Sequence, residues 1–75
     1  MNEIIFQVNF SDHYHKVEIA TENTKYTHLN RTFFVSKSGF GDEYTYLQAI
    51  SWMLEIPKIL RGSGDYATFV RGSED

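Results

Sequence analysis

Residues 3–10, EIIFQVNF, alternate with a period of two. Ile4, Phe6, Val8 and Phe10 share one side of an extended chain, and Ile5, Gln7 and Asn9 share the other. This pattern predicts a strand with one buried face. Ser11, Asp12 and His13 supply turn chemistry. The alternation resumes over 14–21, YHKVEIAT, with His15, Val17 and Ile19 on one face, so 3–21 reads as a β-hairpin. ENTK (22–25) is a polar break. β-forming composition returns over 26–36, most clearly in RTFFVS, while YTHLN before it fits strand or loop. Ile5 on the weaker face of the first strand, with Val17 or Phe34 across from it, predicts a sheet whose back is not wholly polar.

The period then changes. KSGFG (37–41) is a turn and Asp42 a candidate N-cap. From Glu43 to Ile56 the spacing is helical. Tyr46, Leu47, Ile50, Met53 and Leu54 form the face expected to cover the sheet. Tyr44, Gln48, Ser51 and Glu55 lie opposite, with Trp52 on the shoulder near Tyr44. Pro57 predicts a helix end or kink at Ile56, then a short turn through Lys58–Arg61, with Gly62 as the stop. GSGD (62–65) is a connector and YATFVR (66–71) a last strand. The expected fold is α+β in the order β-β-β-α-β: a three- or four-stranded antiparallel sheet with one main helix on one face. Residues 1–72 form one domain, and 73–75 form a frayed tail.

Composition narrows the functional classes. The chain has 75 residues and no cysteine, which excludes disulfides, zinc–thiolate sites and thiol chemistry. Six Phe, five Tyr and one Trp must supply much of the buried area in so small a domain. The formal net charge of −3 lacks the basic stripe of an electrostatic nucleic-acid binder. The N-terminal segment has neither the basic start nor the apolar run of a signal peptide, which predicts a cytoplasmic protein without a membrane span.

Lys37, Gly39, Phe40 and Gly41 resemble part of the aromatic ribonucleoprotein motif of the RRM family, in which a basic residue and Gly-aromatic-Gly lead into an aromatic strand. That resemblance implies RNA binding. Asp42 and Glu43 stand where the family needs an aromatic and a branched residue, and no helix follows the first strand. The stretch therefore reads as a strand-to-helix turn. His13 and His15, with His28 from a neighbouring strand, offer imidazoles to a metal but lack the spacing of known zinc motifs, so no metal or cofactor is expected. No catalytic constellation stands out, and the expectation is a protein that is not an enzyme.

Tyr44 and Trp52 extend the apolar arc of the helix toward solvent, and these residue types are favoured at interfaces. The sequence thus predicts a protein-binding module. Its expected contact residues are Tyr44, Gln48, Trp52 and Glu55 on the helix edge, and Asp42, Glu43 and Asp65 in adjoining acidic segments. The partner would be a larger protein or nucleoprotein complex, in the style of small phage-encoded inhibitors such as anti-CRISPR proteins. The alternatives are a homodimer joined through the back of the sheet or an edge strand, and a single-stranded nucleic-acid binder using Phe33 and Phe34.

Overall fold

The alternating segments become strands: β1 (Glu3–Ser11), β2 (Lys16–Ala20), β3 (Arg31–Phe34) and β4 (Tyr66–Arg71), with one helix, α1 (Gly41–Arg61), between β3 and β4. The computed structural model describes residues 2–11, 16–34 and 41–72, with the side chain of Asp42 excepted. The expected tail at 73–75, residues 12–15 with His13 and His15, and residues 35–40 with most of the expected KSGFG turn lie outside the described residues.

The sheet order is β3-β2-β1-β4. β1 and β2 pair antiparallel with Val8 opposite Ile19 and Phe10 opposite Val17, so the apolar sets of both strands reach one face. β2 and β3 are also antiparallel. β4, however, runs parallel to β1, with Ile4 opposite Ala67 and Phe6 opposite Phe69. The sheet is therefore mixed rather than purely antiparallel. Chain direction explains this correction. Two antiparallel pairings leave β3 running the same way as β1. A single helix returns the chain to its starting end, so the next strand must run parallel to β3 and hence to β1.

Ile4, Phe6, Val8, Val17 and Ile19 are buried beneath α1, with Phe6 and Phe69 tilted against one another at 5.7 Å. The helix meets them through Thr45, Ala49, Ile56 and Leu60, all buried. This corrects the expected face. Of Tyr46, Leu47, Ile50, Met53 and Leu54, only Tyr46 and Met53 are half-buried, while Leu47, Ile50 and Leu54 are exposed. Small residues at 45 and 49 and aliphatics at 56 and 60 form a second line, roughly 120° around the helix from the expected one at 100° per residue.

α1 runs unbroken through Pro57. The ring removes one amide donor to the Met53 carbonyl. Ile56 and Leu60, both wholly buried, hold the last turn in place across that gap. The end is a Schellman arrangement: Asp65 N–H donates to the Leu60 carbonyl at 3.2 Å and Gly64 N–H to Arg61 at 3.1 Å. Gly64 has φ of 77°, so it, and not Gly62, is the residue whose backbone needs glycine.

Within 22–30 only a 3-10 turn forms, Thr27–Leu29, and it buries Tyr26 and Leu29. The β-rich run at 26–36 therefore becomes strand only from Arg31. On the back of the sheet Phe34 is exposed as expected, but Val17 is buried on the helix side. The back-face neighbours of Ile5 are on β4, where Thr68 lies directly opposite.

Candidate functional site

The loop before β3 determines where the helix edge meets the sheet. Asn23 accepts the Lys25 amide at 3.0 Å, an Asx turn that starts the loop. Asn30 closes it. Its side chain accepts the Thr21 amide at 2.8 Å and donates to the Thr21 carbonyl at 3.3 Å, imitating a strand partner. Leu29 and Arg31 flank Asn30 and are delivered to α1. The Trp52 indole N–H donates to the Leu29 carbonyl at 2.9 Å. The Arg31 guanidinium lies 4.4 Å from the Trp52 ring centre and 6.0 Å from that of Phe33.

Trp52 is thus half-buried, with its polar edge bonded and one ring face covered by a cation. Around it Arg31, Phe33, Gln48, Ser51 and Glu55 line a shallow groove of about 400 Å³. Glu55 sits 3.6 Å from Lys58 across one turn of helix, and both side chains remain more than half exposed. Tyr44 is exposed one turn before Gln48, on the same line of the helix. Four expected contact residues, Tyr44, Gln48, Trp52 and Glu55, therefore share one edge, and three of them share one groove. Arg31 and Phe33 complete it. Their signal in the sequence was the i, i+2 spacing that places both on one side of β3.

The acidic residues divide. Glu43 is exposed in the first turn of α1, beside Asp42. Asp65 is held inside the fold. Its side chain is only 8% exposed, accepts the Tyr26 phenol at 2.5 Å and lies 3.6 Å from the Lys25 ammonium. The Tyr26 hydrogen bond holds this carboxyl below its ordinary value of 3.8, with Asn2 and Lys25 adding to the effect and desolvation opposing it.

No family model matches this chain. Comparison with curated proteins and with solved structures likewise found no significant match.

Further features bear on function. Phe33 and Phe34 point to opposite faces of β3, so they form no joint platform for stacked bases. His28 stacks on Tyr26 with ring centres 6.5 Å apart. A larger cleft of about 440 Å³ opens between α1 and the β1–β4 pair, and is apolar: Phe10, Tyr46, Ile50, Met53, Phe69 and Val70 are among its lining residues. Phe10 meets Tyr46 edge-on at 5.6 Å, and the Arg71 guanidinium lies 5.2 Å from the Phe10 ring. Among the described residues no helix is long and apolar enough to cross a membrane.

Proposed function

We propose that the protein is a non-enzymatic binding module that docks on a larger protein through the groove around Trp52. The observation that carries this reading is the Arg31–Trp52 stack, held at the surface between Gln48 and Glu55. Arg, Trp and Tyr are the residue types that concentrate binding energy at interfaces, above all where they are already held in position. The hydrogen bond to Leu29 and the stacked guanidinium remove rotamer freedom from Trp52 before any partner arrives. With one face of the indole occupied, the groove receives a side chain from the partner instead of inserting Trp52 into it. Gln48 and Glu55 form the polar rim. Glu43, Asp42 and the net charge of −3 favour a partner with a basic surface, as nucleic-acid-handling complexes present. The class that fits is the small inhibitor that occupies a working surface of such a complex, as phage-encoded anti-CRISPR proteins do.

The test compares capture of a protein from a nuclease-treated cell lysate by the native chain, Gln48→Ala and Glu55→Lys. One protein retained stoichiometrically by the native chain, and reduced at least ten-fold by Glu55→Lys with unchanged circular dichroism, is the expected result. Equal retention by all three removes the groove from the interface.

A further inference from the structure

A second exposed feature of α1 lies on another side of the helix from the Trp52 groove. Leu47, Ile50 and Leu54 are 59%, 50% and 64% exposed. Their alternating spacing of three and four residues is that of a seam between two packed helices. The line continues at both ends in the same rhythm. Glu43 lies one turn before Leu47, Pro57 follows Leu54, and Arg61 lies one turn beyond Pro57. Glu43 and Arg61 are exposed and Pro57 is half-buried. The seam therefore reads acid, three aliphatics, proline, base.

Such a line is complementary to its own reverse. When two copies of α1 lie antiparallel about a two-fold axis, Ile50 of one copy meets Leu54 of the other. Leu47 then meets Pro57, and Glu43 meets Arg61, each contact occurring twice. A parallel pair would instead stack acid on acid and base on base. The antiparallel pair also sets the two helix dipoles head to tail. On the described back of the sheet the exposed Ile5, Tyr66 and Val70 are interspersed with Glu3, Gln7 and Thr68, and the exposed Phe34 stands apart from them on the opposite edge strand β3, so these residues form no continuous line. We infer that the outer face of α1 is covered by a second copy of this chain, in an antiparallel helix pair with the two sheets on the outside. The apolar cleft borders this seam, since Ile50 belongs to both. The inference is independent of the Trp52 groove, and a dimer built this way presents that groove twice.

Sedimentation equilibrium of the intact chain over a range of concentrations tests it. The native protein is expected at twice its 8.8 kDa chain mass. Leu54→Glu and Ile50→Glu, both at exposed positions, are expected to return the mass to that of one chain with unchanged circular dichroism. Arg61→Glu should weaken association roughly ten-fold, because two exposed charge pairs become repulsive at once. Glu43→Arg combined with Arg61→Glu should restore it. Glu55→Lys, which alters the groove and the exposed pair with Lys58 but no residue of the seam, should leave the mass unchanged. A native protein that stays monomeric at millimolar concentration overturns the inference, as does a dimer that survives Leu54→Glu or a charge exchange that fails to rescue Arg61→Glu.

Discussion

The Tyr26 phenol and the Asp65 carboxylate are 39 residues apart in the chain and share one hydrogen bond. That bond lowers the Asp65 pKa on folding. A carboxyl depressed in the folded state contributes its full stabilisation above its unfolded pKa and loses it as pH falls through the folded value. Tyr26→Phe removes the largest lowering influence. It is expected to raise the Asp65 titration midpoint in a carboxyl-detected NMR titration, and to raise the pH at which acid unfolds the protein. The same carboxyl explains why Asp65 differs from the acids at the helix start: it is a tie between the loop and the end of α1. Nothing in GSGD marks this, because the partner residues come from a distant loop. Trp52 was legible as a special residue from its position on the helix shoulder. Its partner carbonyl at Leu29 was not, since any exposed loop can offer a carbonyl. Trp52→Phe keeps an aromatic ring but removes the N–H and half of the indole, and should cost about 1 kcal/mol or more in denaturant unfolding.

At the scale of the element, α1 carries two apolar lines and buries the less obvious one. Leu47, Ile50 and Leu54 give the stronger helical signal, but Thr45, Ala49, Ile56 and Leu60 face the sheet. Periodicity identifies an apolar face without saying which of two will be covered. Small side chains at 45 and 49 suit a helix laid close against the large side chains of β1 and β2. In dilute monomeric protein, Leu60→Ala should cost 2–5 kcal/mol, roughly the range for emptying a core aliphatic site. Leu54→Ala should change stability by less than about 0.5 kcal/mol, as exposed positions do. If chemical denaturation ranks them in the reverse order, the helix is rotated from the orientation described. The end of the helix is similarly specific. Gly64→Ala places a side chain at a left-handed φ and should cost about 1–2 kcal/mol, although no atom lies near enough to clash. Gly62→Ala, at the residue directly after the helix, is expected to be nearly neutral.

For the whole molecule, the decisive contact joins the two ends of the sequence. β1 is an interior strand of the sheet and β4 is the edge strand beside it. Tyr66 N–H donates to the Asn2 carbonyl at 3.0 Å, starting a ladder that extends to Gly72 N–H and the Val8 carbonyl at 2.8 Å. Without β4, one edge of β1 and the rings of Phe6 and Phe10 lose their cover. A chain ending at Asp65 is expected to show no cooperative thermal transition in circular dichroism. Closing so long a loop before the pairing forms also predicts slower folding than a helical protein of this size would show.

The sequence by itself determined the order of strands and helix and the side of β1 that is buried, while leaving 26–30 open between strand and loop. These follow from local periodicity, because a two-residue or 3.6-residue repeat admits only one backbone in which its apolar set shares a face. Gly62 and Pro57 stand out in the sequence as breakers, but the positive φ falls at Gly64 and the helix does not break at Pro57. The burial of Ile56 and Leu60 carries the helix past the proline, and the chain reversal toward β4 requires a positive φ two residues beyond Gly62. Tertiary structure alone decided the parallel pairing of β4, the face that α1 buries, and the meeting of Arg31 with Trp52. Each depends on where a segment lies relative to one far along the chain, and a local pattern carries no information about that distance.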